Sequence, residues 1–201
     1  MKILDIETVP LPNIMETWYP EWATKKFPEM SPEEIEHQAG LYPEFGMICA
    51  IGISDPNGNP TSATAKNLDD EKEILLQLDN ILAMKETLVG HNLKGFDLPF
   101  LAKRYMYHGL HVPNTLRVSN MKPWEIPHID TMEKMRFGGG MSMSLRSACF
   151  LLGIGDPKLA CSGGDVWDLF KKGNFEQIAK YVESDVKFTD KLYQKILTLS
   201  P

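Results

Sequence analysis

Cysteine is scarce: three residues in 201, Cys49, Cys149 and Cys161. An odd number without paired ligand spacing excludes a disulfide framework and a cysteine-held zinc site, and fits a reducing, cytoplasmic setting. Long apolar runs are missing as well. No stretch approaches the roughly 20 residues that cross a bilayer, and the N-terminus enters a strand pattern without the basic-then-apolar order of an export signal. The expectation is a protein with no membrane span. The five histidines show no metal-ligand spacing: His108 and His111 straddle a helix end, and His91 and His128 abut strand ends. Gly138-Gly139-Gly140 lacks the lysine pattern of a phosphate-binding loop and reads as a flexible turn. Positive charge is in deficit, with 21 Lys and Arg against 27 Asp and Glu, a net charge of −6 and a pI near 5.4. Non-specific affinity for nucleic acid comes from cations neutralising phosphates, so the deficit argues against a broad duplex-binding surface. It leaves open a small site that grips a few nucleotides.

What is present begins with carboxylates. In the apolar run Ile3-Leu4-Asp5-Ile6-Glu7, strand geometry puts Asp5 and Glu7 on one face and Ile6 on the other. Two like charges side by side are unfavourable unless a cation sits between them, and a hard divalent ion takes oxygen ligands of this kind. Two such ions about 4 Å apart stabilise the attacking and leaving oxygens of a phosphoryl displacement. Near the other end, Phe175, Ile178, Ala179, Val182 and Val186 recur at helical spacing. Tyr181 and Asp185 therefore lie one turn apart on a shared face, where a phenol can orient water beside a carboxylate.

With 43% hydrophobic and 24% charged residues, residues 1–201 are read as one domain around one core. Strands are expected at Lys2 to Thr8, Met47 to Ile53, Thr61 to Lys66, Thr87 to Asn92 and Pro127 to Met132. Helices are expected at Asp69 to Met84, Asp97 to His108, Ser144 to Leu152, Trp167 to Lys171 with Asp165 as its cap, and Asn174 onward. Asp97, followed two residues later by Pro99, reads by itself as a helix cap. Asp130 reads as structural. The stretch from Val9 to Phe45 is an insertion between strands one and two, rich in Pro and aromatics, with one clear helix start at Ser31-Pro32-Glu33-Glu34. It is either a flap whose aromatics stack on bases or a peripheral arm packed by its own side chains. Among the dispersed cations Lys94, Lys103, Arg104, Lys122, Arg136, Arg146 and Lys158, only Lys94 has a positional argument as a phosphate contact. Alternation of strands and helices indicates an α/β fold in three layers.

Three blocks together resemble the 3′–5′ exonucleases of the DEDD type, tyrosine subclass, above all the proofreading domain of family B DNA polymerases. They are Asp5-Ile6-Glu7-Thr8, then Asn92-Leu93-Lys94-Gly95-Phe96-Asp97-Leu98-Pro99-Phe100-Leu101, and Tyr181 to Asp185 as Y-x-x-x-D. The resemblance covers Ile3 to about Ile196. It implies a ribonuclease H-like fold, a mixed sheet flanked by helices with the carboxylates gathered at one end. It implies that Asp5, Glu7, Asp97 and Asp185 hold two divalent ions, Mg²⁺ or Mn²⁺, and that Tyr181 orients the attacking water. It further implies that Thr8 meets the terminal nucleotide and that Asn92, Phe96 and Lys94 line the path of the strand. The expected activity is metal-dependent hydrolysis from the 3′ end of single-stranded DNA, releasing nucleoside monophosphates. The alternatives are an exoribonuclease and a silenced nucleic-acid-binding module.

Overall fold

The computed structural model describes residues 1–82, 86–157 and 165–200. Five strands form one mixed sheet in the order β3-β2-β1-β4-β5: β1 (Lys2–Pro10), β2 (Gly46–Ser54), β3 (Thr61–Thr64), β4 (Leu88–Gly90) and β5 (Ile129–Asp130). The first three run as an antiparallel meander, and β4 and β5 join β1 in parallel. β2 is buried along almost its whole length, as suits a strand covered on both faces. The helices are α1 (Tyr19–Lys26), α2 (Pro32–Ala39), α3 (Leu68–Leu82), α4 (Asp97–Tyr107), α5 (Thr131–Arg136), α6 (Leu145–Leu151), α7 (Val166–Lys171) and α8 (Phe175–Leu199).

Two glimpses of side-chain direction assign the faces. Asp5 pairs with Gly52 in the β1–β2 register, and a Cβ added at Gly52 would lie 2.9 Å from Val186 Cγ2 and 3.0 Å from Val182 Cγ2. The face carrying Asp5 is thus the one on which α8 rests, drawn close by the absent side chain at Gly52. Ile51, pointing oppositely, shares a cavity wall with Ile74 and Leu78 of α3. α4 packs on α3 through the Tyr105 hydroxyl, which donates to the Leu75 carbonyl at 2.6 Å.

Several expectations change in detail. β4 and β5 are shorter than the apolar runs that announced them, because β4 gives way to the turn that leads into α4 and β5 to the start of α5. Asp130 closes β5 and caps α5, a helix its short sequence did not announce. The helix expected from Asp69 is found from Leu68, and its predicted end at Met84 lies outside the described residues, as do Lys158, Cys161 and Gly163-Gly164. Asp165 stands at the N-cap position of α7. Asp97 does not act as a helix cap: Phe96 holds that position and Asp97 is the first helical residue.

In the insertion, Ser31 and Glu34 form the expected capping box. α1 is an addition, invisible as a pattern because only Tyr19 and Ala23 are buried in it. Its support is a ring cluster, with Tyr19 4.7 Å and Trp18 5.1 Å from Phe45, and Trp22 5.5 Å from Tyr42. The Tyr19 hydroxyl donates to the Ile35 carbonyl at 2.7 Å. The insertion is therefore an arm with a small core of its own, and most of its aromatics are spent on each other.

Candidate active site

The sheet brings the first and third blocks together. Asp5 and Glu7 project from β1 toward α8, and Asp185 faces them from that helix. One carboxylate oxygen from each lies within 4.8 Å of the other two. Tyr181, one turn before Asp185, is buried on the same helix face and shares a hydrogen bond with it. The second block arrives differently. β4 stops at Gly90, just past the pairing of Ile3 with Val89, so among the described residues β1 has no strand neighbour on that side beyond this level. Asp97, at the start of α4, accepts the N–H of Ile6 at 3.2 Å. The second block is thereby tied to the backbone between Asp5 and Glu7.

Four acids in one place have an electrostatic signature. Burial, reinforced by the charges of Asp97, Glu7 and Asp185, pushes the Asp5 carboxyl well above the ordinary carboxylate range. Burial does the same to Asp97, against the opposing pull of its N–H contacts. Tyr181 is also pushed upward, by burial first and then by Glu7, Asp185 and Asp5. It stays a neutral phenol, which can donate a hydrogen bond. The donor set is all oxygen, with one carboxylate oxygen from each of Asp5, Glu7 and Asp185 turned toward a common point. These residues fit a hard divalent cation.

Thr8 and Phe96 meet in a small cavity of about 210 Å³ beside Glu7, walled also by Ile6, His37, Leu41 and Trp167. A β-bulge turns Thr8 into it: Glu7 pairs with Ala50 but Thr8 pairs with Ile48, so Cys49 is skipped. His37 and Leu41 come from the inserted arm and Trp167 from α7. Sequence reasoning missed all three, because no spacing links them to a motif and only the fold draws them to Glu7.

Asn92 and Lys94 are placed elsewhere. Asn92 adopts a left-handed conformation, φ 65°, and opens the turn into α4, its carbonyl accepting the N–H groups of Gly95 and Phe96. Lys94 Nζ pairs with Glu133 at 2.7 Å and lines a different cavity, of about 430 Å³, with Trp124, His128 and Asp130. Asp130 is structural, as expected: its carboxylate accepts four backbone N–H groups, from Asn92, Lys94, Met132 and Glu133. His91 spends both ring nitrogens inside the fold, on the Thr131 hydroxyl and the Met143 carbonyl. Of the other cations, Lys103 pairs with Glu44, Arg146 with Asp156, and Arg104 is buried against Glu71.

The class of protein comes from the family match, that of a predicted 3′–5′ exonuclease. Residues 45–200 match the family described as a predicted 3′–5′ exonuclease related to the exonuclease domain of PolB, and the chain belongs to that family. The match begins after β1, so Asp5 and Glu7 precede it. A solved structure, the family B DNA polymerase from the hyperthermophilic archaeon Pyrobaculum calidifontis, is similar over 98% of this chain with a TM-score of 0.62 and 17% identity. That likeness shows the fold. This chain spans 24% of the polymerase's length. No curated protein sequence matches. Among the described residues no helix is long and apolar enough to cross a membrane.

Proposed function

We propose that this chain is a metal-dependent 3′–5′ exonuclease that removes nucleoside monophosphates from single-stranded DNA, with residues 1–201 acting as one exonuclease domain in the cytoplasm. The observation that carries the reading is the convergence of Asp5, Glu7 and Asp185 within 4.8 Å, with Asp97 bound to the backbone between the first two. Asp5, Glu7, Asp97 and Asp185 would hold two divalent ions, Mg²⁺ or Mn²⁺. When bound, these supply Lewis acidity to the scissile phosphate and lower the proton affinity of water.

The chain's own groups do the rest. Tyr181, kept neutral, gives its one proton to Asp185 beside it, which leaves the phenol oxygen to accept from the attacking water and fix its approach. Thr8 offers a hydroxyl to the sugar of the terminal nucleotide. Phe96, Leu41 and Trp167 give its base an apolar cavity of about 210 Å³. Asn92 acts through the turn that delivers Asp97.

The test is degradation of 5′-labelled single-stranded DNA and matched RNA, with Mg²⁺, Mn²⁺ or chelator, for wild type beside Asp5→Ala. A metal-dependent ladder shortening from the 3′ end of DNA, absent in the variant, is the expected result. A ladder confined to RNA would reassign the substrate, and binding without degradation would make the chain a silenced module.

A further inference from the structure

We propose that the buried pair Glu71–Arg104, which does not line the cavity assigned to the nucleotide, is a positioning network for the carboxylate site; this rests on the exonuclease reading above. Both side chains are fully buried, 0% exposed. Arg104 grips Glu71 with two prongs, Nε to Oε1 at 2.8 Å and Nη2 to Oε2 at 2.7 Å. His108 Nε2 adds a contact to Oε2 at 2.7 Å. Two more bonds reach outward. Glu71 Oε1 accepts the N–H of Ile48 at 2.7 Å, and Arg104 Nη1 donates to the Pro43 carbonyl at 3.1 Å.

With α4, which carries Arg104, those outward bonds link three segments that border the site: β2, α4 and the inserted arm. Ile48 is the β2 residue opposite Thr8, at the bulge that skips Cys49 and separates the pairing of Glu7 from that of Thr8. Arg104 lies on α4, two turns beyond Asp97 and on the same rigid rod. Pro43 belongs to the return limb of the inserted arm, close after His37 and Leu41 of the cavity wall. One charge cluster thus sets the bulge under Glu7, the helix bearing Asp97 and the arm closing the pocket relative to each other.

Burying an ion pair is a poor route to stability, since well-packed apolar side chains commonly do as well or better. What apolar packing does not supply is four directional contacts converging on one carboxylate. Glu71 and Arg104 act through Glu7, Thr8 and Asp97, and touch no reacting atom.

The test uses Arg104→Lys, which keeps the charge but loses the fork, and the double variant Glu71→Met with Arg104→Met, which removes both charges. For each, Mn²⁺ affinity is measured by calorimetry, kcat and KM on a labelled oligonucleotide, and Tm with chelator present. Arg104→Lys is expected to fold, to bind Mn²⁺ about tenfold more weakly and to lose about tenfold in kcat with KM near wild type. The double variant is expected to match or exceed the wild-type Tm while losing more of both. Wild-type Mn²⁺ affinity and kcat in Arg104→Lys would overturn the proposal, as would failure of that variant to fold, which would make the pair a requirement of the fold itself. If the double variant does not fold, Arg104→Lys decides. Wild type that binds no Mn²⁺ would instead remove the exonuclease reading.

Discussion

At Asp5 the fold concentrates like charge: three other acids crowd a half-buried carboxylate. Removing its charge should therefore have opposite effects on chemistry and on folding. Asp5→Asn is expected to abolish turnover, by a factor of about 10³ or more, yet to raise Tm by a few degrees in chelator because repulsion is relieved. The same variant should lose the rise in Tm that Mg²⁺ gives wild type. A thermal melt with and without Mg²⁺ checks both halves. Tyr181→Phe removes a donor and leaves every carboxylate in place, so kcat should fall about 10² with Mn²⁺ affinity unchanged. Loss of affinity with an unaltered rate per bound ion would make the phenol a support for Asp185. These residues were legible because their relations are local, two along a strand and four along a helix. Asn92, Lys94 and His91 were not, because what occupies them is Asp130, Glu133, Thr131 and Met143, all roughly 40 to 50 positions away.

At the scale of elements, the site depends on how closely α8 lies on the sheet. A Cβ at Gly52 would meet Val186 and Val182 side chains at 2.9 and 3.0 Å and the Val182 carbonyl at 3.1 Å, so the helix must lift. Gly52→Ala is expected to cost about 1–3 kcal/mol and to lower kcat, since Val182 and Val186 alternate with Tyr181 and Asp185. Gly140→Ala, in open space, is the control that should change neither; equal behaviour of the two in urea melts and turnover would defeat the argument. Long amphipathic elements were readable, α8 above all. α1 was not, being held by ring pairs distant in sequence, such as Trp18 on Phe45 and Trp22 on Tyr42. Nor was the bulge in β2, which has no local signature and is fixed by Glu71 from another element.

Across the whole molecule, alternation of strand and helix foretold a mixed sheet between helical layers. The gathering of carboxylates at one end of the sheet followed from the family resemblance, and of the two readings of the insertion, flap or self-packed arm, the structure gives the arm with its own core. The parallel half of the sheet is held at its short end by His128, 3% exposed. Its Nδ1 accepts the N–H of Leu88 at 3.1 Å and its Nε2 donates to the Thr115 carbonyl at 2.7 Å. Both bonds need a neutral ring, since protonation at Nδ1 would set two donors face to face. Burial lowers its proton affinity, the Lys94 charge adds to this, and the Thr115 bond opposes it. With the folded-state pKa depressed below the unfolded value near 6.5, the unfolded chain binds more protons in that window, so stability falls as pH drops through it. His91, lowered mainly by burial, acts in the same direction. Wild type should therefore lose Tm between about pH 7.5 and 5.5 more steeply than His128→Gln, whose amide can still accept at one end and donate at the other. Carboxylates at the site are common to both proteins and cancel in the comparison. Parallel curves for the two would show that the β4–β5 end is held without regard to the charge of this ring.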